Sequence, residues 1–243
     1  MLILAAGMPR AGSGWHYNLV HDLVVAAGGH DARAVRRQFL LSPILTEVNC
    51  NIGALTTKRL LPVLLPVLLG RQFVIKTHAG PKRLAQALMQ RGWLKPIYIY
   101  RDPRAAALSA YEYGRRGVAD GRPNAFSYLE TVEDAIVFMQ DYVRIWETWL
   151  AAPQTLPMRY EDLLGEYDAE ANRLAAALGL DPARSDVQMV IEKYRPGRAS
   201  KDDRGLHFHK GQPERFRTAL TAAQLQTCAE VFGPALARMG YAP

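Results

Sequence analysis

The chain has 243 residues and a formal net charge of +7, with 49% of its residues hydrophobic and 22% charged. That length can bury a full core, and the balance of apolar and charged residues excludes a disordered or fibrous chain. Cys50 and Cys228 lie too far apart for a metal-ligand spacing and make no disulfide framework, while the positive excess suits an anionic ligand, nucleic acid or an acidic surface equally well.

Leu2 to Ala6 is an apolar run of strand length, followed by a turn-rich loop from Gly7 to Gly14 that holds one cation, Arg10. From Trp15 the pattern turns helical, with Leu19, Leu23 and Val24 at three- and four-residue spacing. Strand, glycine-rich loop and helix in that order make a site for phosphate-like anions. The loop amides point inward, and the helix N-terminus adds unsatisfied donors. Nucleotide hydrolases end such a loop in Gly-Lys-Ser/Thr to hold magnesium; here it reads Pro9-Arg10-Ala11-Gly12-Ser13-Gly14-Trp15. The alternative is a plain structural turn.

Arg33, Arg36 and Arg37 read as a solvated basic face. Residues 38 to 70 read as irregular structure and a helix broken at Pro62 and Pro66. Their most apolar part, Leu60 to Leu69, is too short to span a bilayer. No basic region precedes the N-terminal apolar run and no cleavage site follows it, so the expectation is a soluble cytoplasmic protein without stable membrane insertion. Phe73-Val74-Ile75 is a buried-strand pattern that runs into Lys76-Thr77-His78. Ligands of open α/β sheets sit beyond the carboxyl ends of the strands, which places Lys76 and His78 in the crevice of the Arg10 loop. A structural histidine is the alternative.

Leu84 to Gln90 reads as a helix and Pro96 to Tyr100 as a strand ending in Arg101-Asp102-Pro103-Arg104. Pro103 suits the first turn of a helix that continues through Leu108, Ser109 and Tyr113. Arg101 and Ser109 can then offer a guanidinium fork and a hydroxyl to one anion; the plainer reading is a surface Arg–Asp pair and an exposed serine. Val132 to Leu150 is an amphipathic helix with a core stripe of Ala135, Ile136, Met139, Val143, Trp146 and Leu150. Thr155 to Met158 is a short strand broken by Pro157 and leads to Arg159-Tyr160-Glu161-Asp162-Leu163, with two helices beyond it. Tyr194 to Gln212, polar and basic, reads as a mobile loop, and Thr221 to Met239 closes the chain as a helix.

With these pieces in order, the sequence resembles the sulfotransferases that use 3′-phosphoadenosine 5′-phosphosulfate (PAPS). Pro9 to Trp15 is similar to the family's 5′-phosphosulfate loop, usually Pro-Lys-Ser-Gly-Thr-Thr-Trp, and Lys76-Thr77-His78 to the segment that carries its catalytic histidine. Tyr100-Arg101-Asp102-Pro103-Arg104 with Ser109 matches the 3′-phosphate motif. Arg159 to Leu163 resembles the segment whose tyrosine, here Tyr160, lies near adenine. His209-Lys210-Gly211 resembles the Arg-Lys-Gly that closes over the 3′-phosphate. Arg10 stands for the usual lysine and cannot donate a proton. Gly14 stands for a hydroxyl residue and His209 for an arginine. The family's short dimer-forming motif is not recognisable around Pro213 to Gln224.

The resemblance implies a three-layer α/β/α, P-loop-like nucleotide-binding fold with a central parallel sheet, in a single domain over residues 1–243. It implies PAPS as co-substrate, the 3′,5′-bisphosphate PAP as product, no metal, and a small-molecule, lipid or sugar acceptor rather than nucleic acid. In that reading His78 is the general base, and Lys76 and Arg10 stabilise developing charge. Donor contacts fall to Arg10, Ala11, Gly12, Ser13, Gly14, Trp15 (stacked on adenine), Arg101, Ser109, Tyr160, His209, Lys210 and Gly211. The acceptor pocket is expected from residues 38–70, 114–130 and 194–208. The rivals are a nucleotide-dependent kinase on a similar sheet and a non-catalytic nucleotide- or nucleic-acid-binding protein.

Overall fold

The first apolar run becomes the strand on which the rest is assembled. A computed structural model describes residues 1–197 and 213–242. From β1 (Leu2–Gly7) the chain passes through α1 (Ser13–Ala26), α2 (Ala32–Gln38) and α3 (Thr57–Leu68) to β2 (Phe73–Thr77). It continues through α4 (Arg83–Gln90) to β3 (Leu94–Tyr100), then through α5 (Pro103–Ala119) and α6 (Val132–Leu150) to β4 (Leu156–Arg159). The described chain ends with α7 (Tyr160–Gly165), α8 (Tyr167–Ala177), α9 (Ser185–Lys193), α10 (Phe216–Ala219) and α11 (Ala222–Met239).

The four strands are all parallel, in the order β2-β1-β3-β4. Every residue of β1 and β2 is buried, the mark of parallel strands covered on both faces by helices. α1 packs on β1 and β2 with α9 against it. α6 packs between α5 and α11, and its Trp149 stacks on Tyr98 of β3 with ring centroids 5.9 Å apart. This is the three-layer α/β/α arrangement the resemblance implies. The connection from β1 goes to one side and that from β3 to the other, so the order in which strands are added reverses between them. A crevice opens at the carboxyl ends there.

Local chemistry explains the element ends. Asp102 caps α5 by accepting from the Arg104 amide, and Pro103 fills the first turn. Thr131 with Asp134, and Thr221 with Gln224, form capping boxes at α6 and α11.

Two expectations for residues 32–70 need correcting. α3 is not broken at its prolines; it runs unbroken from Thr57 to Leu68 with Pro62 and Pro66 inside. Each internal proline costs about 3 kcal/mol. Full burial of Leu60 and Val63 and near-full burial of Leu64 return about 1.5–3 kcal/mol apiece, the same order. Nor do Arg33 and Arg36 form a merely solvated face. Arg33 Nε donates to the Val48 carbonyl at 2.9 Å and Arg36 Nε to that of Leu45 at 2.7 Å. They fasten the stretch between α2 and α3; Arg37 is exposed as read.

Candidate active site

Three strand ends set the cleft. The loop after β1 is pinned where the Met8 amide donates to the Ile99 carbonyl of β3 at 2.9 Å. It then turns through two left-handed residues, Arg10 at φ 63° and Gly12 at φ 71°. Gly12 is needed twice over, because a Cβ there would also come within 2.7 Å of the Tyr160 ring. α1 starts with no side-chain cap and no acid in its first turn. Gly12, Ser13 and Gly14 therefore bring uncompensated amides to the cleft wall. Ala11 is fully buried behind them.

Lys76, next to last in β2, is 7% exposed and lines the same cleft. Burial, and after it the charge of Arg10, lowers its pKa to about 8. His78 Nδ1 lies 2.6 Å from the Gly7 carbonyl. A carbonyl only accepts, so Nδ1 carries the hydrogen and Nε2 is the basic nitrogen. Burial and the neighbouring Lys76 ammonium hold the His78 pKa down at about 3, which keeps the ring neutral across the working range.

The other end of the cleft is cationic. Arg10 runs to α5, where its Nε donates to Ser109 Oγ at 3.2 Å and its guanidinium lies 4.3 Å from the Tyr113 ring centroid. Burial lowers its pKa to about 10, still charged at neutral pH. Arg101, just past β3, donates to the Arg10 carbonyl at 3.3 Å and spreads over the Tyr160 ring at 4.7 Å. Its Nε is 3.9 Å from the Glu161 carboxylate. Arg101 and Ser109 line one cleft, and the structure adds to them Arg10, which the sequence reading places with Lys76 at the sulfuryl end. The cleft they share with Lys76 and His78 holds about 290 Å³, near the lower end of ligand pockets.

The surface Arg–Asp pair does not form. Asp102 is buried against Arg104 at 2.9 Å, and Arg104 donates on to the Ala242 carbonyl at 2.7 Å. That pair ties the C-terminal end of the chain to the start of α5 and leaves Arg101 at the cleft.

Trp15 does not line the cleft. It is buried, stacked on Tyr167 at 5.9 Å and 14°, edge-on to Tyr160, with Nε1 donating to the Tyr194 carbonyl at 2.8 Å. It backs Tyr160, which does form the wall. Tyr194 is held a second time by Asp22, which accepts from its hydroxyl at 2.7 Å. His209, Lys210 and Gly211 lie outside the described residues, as does most of the stretch read as a mobile loop.

Some cleft residues were not singled out. Tyr113 lies four residues past Ser109 on α5, so helical spacing could have found it. Asn49 and Phe126 line the cleft from the stretches 38–70 and 114–130 expected to supply the acceptor pocket. The Phe126 backbone packs close on α5 because Gly114 lacks a Cβ, which would meet the Phe126 carbonyl at 2.1 Å, and Asn49 has its Oδ1 buried and unbonded among the described residues. His16 is fully buried, with neither ring nitrogen bonded among the described residues. No contact there explains a histidine at that position.

The chain matches the family model for the sulfotransferase domain over residues 2–240. It belongs to that family. Its fold is shared with retinol dehydratase in complex with androsterone and inactive cofactor PAP, at TM-score 0.60 and 19% identity, covering 97% of this chain and 80% of that one. It is shared also with the mouse sulfotransferase SULT7A1 complexed with PAP, at TM-score 0.61 and 18% identity, covering 96% and 82%. No curated protein matches the sequence. The expectation of a PAPS-type sulfotransferase on a P-loop-like fold is borne out as family and as architecture, and the kinase and nucleic-acid readings give way to it.

Proposed function

We propose that residues 1–243 act as one catalytic domain that takes a sulfuryl group from PAPS, releases PAP, and passes the group to a hydroxyl or amine of a small-molecule, lipid or sugar acceptor. The observation that carries the reading is the 2.6 Å contact between His78 Nδ1 and the Gly7 carbonyl, which leaves a neutral imidazole with Nε2 basic beside a dry lysine. The residues present suit such a donor: glycine-loop amides and Ser13 for its 5′ end, Arg101 and Ser109 for its 3′-phosphate, and the Tyr160 ring for its base. His209, Lys210 and Gly211 are kept as further donor contacts on the sequence alone. When bound, PAPS supplies a sulfuryl group already activated by its anhydride bond to phosphate.

His78 Nε2 accepts the proton of the acceptor hydroxyl as its oxygen attacks, a service worth about 10²–10⁴-fold. The Lys76 ammonium stabilises charge building on the departing phosphate oxygen, and its dry setting makes that interaction stronger than it is in water. A pKa near 8 also lets Lys76 lend a proton there. Arg10 adds a fixed charge from the Ser109 side.

The structural neighbours, one in complex with androsterone and another with retinol, support apolar alcohols as the acceptors to try first. The purified chain is incubated with PAPS radiolabelled in sulfur and a panel of apolar alcohols, phenols, amines and sugars. Label is expected in at least one class, with PAP released in equal amount and no added magnesium. A chain that moves label to none of them and gains no thermal stability from PAP overturns the reading.

A further inference from the structure

Charge is unevenly placed along this chain. Residues 32–95 hold eleven lysines and arginines and a single acid, Glu47; the rest holds 19 basic and 22 acidic residues. The whole positive excess therefore belongs to the part built from α2, α3, β2 and α4. Besides Leu40, four leucines on and just after α3 stand out into solvent. Leu61 and Leu65 are 55% and 52% exposed, and Leu68 and Leu69 are each 63% exposed. At about 100° per residue they fall with Lys58 in one arc of about 100°, opposite the buried Leu60 and Val63.

Cations bracket this stripe at both ends. Asn51, shortly before α3, pairs with Lys76 at the carboxyl end of β2, and α3 returns to the start of β2, so it runs antiparallel to the strands. Lys58 thus shares an end with Lys82 and Arg83 at the start of α4, which packs against α3. Arg71 and Arg91 lie at the other end. All but the half-buried Arg71 are exposed.

We propose that this face docks on an anionic lipid bilayer. α3 lies in the headgroup plane with Leu61, Leu65, Leu68 and Leu69 among the upper acyl chains and the bracketing cations on lipid phosphates. Charge selects the occupant. A second copy would press two strongly basic faces together, whereas an acidic bilayer offers apolar depth and negative charge at once. The contact is peripheral, since no helix among the described residues is long and apolar enough to cross a membrane. The prolines agree with this depth. Lacking N–H groups, Pro62 and Pro66 take the intrahelical donors from the Lys58 and Pro62 carbonyls, which headgroup water can serve and hydrocarbon cannot.

The test is co-sedimentation of the full chain with phosphatidylcholine vesicles and with vesicles that also contain phosphatidylglycerol. Binding is expected to the mixed vesicles only, weakening steeply with salt. L65Q together with L68Q should lower partition at least tenfold at an unchanged melting temperature. K82Q and R83Q should each lower it about fivefold. No binding to the mixed vesicles, or equal binding to both kinds at every salt concentration, overturns the proposal. So does a concentration-dependent dimer in size-exclusion chromatography that L65Q with L68Q dissolves, since the occupant is then a second copy.

Discussion

Lys76 and His78 at one end of the cleft and Arg10, Arg101 and Ser109 at the other treat charge in opposite ways. Lys76 is buried and His78 partly buried, and desolvation pulls both pKa values down, to about 8 and about 3. Lys76 can give up its proton near neutral pH, while His78 stays neutral and open to accept one. The arginines instead rest on tyrosine rings, and Arg101 donates to the Arg10 carbonyl. They keep their charge and can hold an anion but not exchange a proton. One cleft thus separates moving a proton from gripping a ligand, and substitutions at the two ends should fail differently.

The sharpest break is His78→Ala. Turnover should fall at least about 10²-fold while the melting shift given by PAP persists. Retention of more than about a tenth of wild-type turnover would contradict a general base, and loss of PAP binding along with activity would make His78 structural. At the other end, Arg101→Ala should spare chemistry per bound donor and erase discrimination between adenosine 3′,5′-bisphosphate and adenosine 5′-monophosphate. A charge-assisted hydrogen bond contributes about 1.5–3 kcal/mol, so the preference in the wild type should be about tenfold or more. Melting shifts measured at equal ligand concentration read it directly.

The pH profile sharpens the contrast from the other side. Lys76 is protonated below its pKa of about 8, so kcat/KM should fall as pH rises through that value. His78, already neutral, should add no acidic limb near pH 7. Lys76→Arg should remove the alkaline limb, because a guanidinium stays charged. Stability depends on the same shift. The folded pKa lies below the unfolded one, so the unfolded chain binds the extra proton between the two values and the Lys76 contribution to stability rises with pH across that window. Lys76→Met should therefore raise the melting temperature most below pH 8. A flat alkaline profile in the wild type would remove Lys76 from the chemistry.

What the sequence disclosed follows the range of the interactions. β1, β2 and β3 were legible because their burial is written in local apolar runs, and α6 in its periodic stripe, though Leu150 stands exposed there and Trp149 is buried instead. The places of Lys76 and Arg101 were legible because they sit at strand ends. The unbroken α3 was not legible: two prolines argue locally against it, and burial of Leu60 and Val63 against distant elements decides otherwise. Arg33 and Arg36 looked solvated because their carbonyl partners lie nine to fifteen residues on. Trp15 was read as stacking on adenine; its ring partner Tyr167 comes from a helix beyond β4, which no local pattern announces.

Arg10 is where the two ends of the cleft meet, and it should show the smallest effect. It occupies the place of the family's loop lysine, yet its side chain goes to Ser109 and Tyr113. Arg10→Lys keeps the charge and loses the planar face. A cation–π contact contributes about 0.5–1 kcal/mol, and the lysine ammonium keeps a charged donor for Ser109, which makes a change of about two- to five-fold. Because the lost contact is at the gripping end, the change should appear in PAP affinity, with single-turnover chemistry unaltered once donor is saturating. Tyr113→Leu should reproduce the cation–π share and add little on top of Arg10→Lys, since the pair acts through one contact. If Arg10→Lys instead speeds or slows the chemical step and leaves PAP affinity alone, Arg10 belongs with Lys76 and His78, and the division of labour drawn between the two ends fails at that residue.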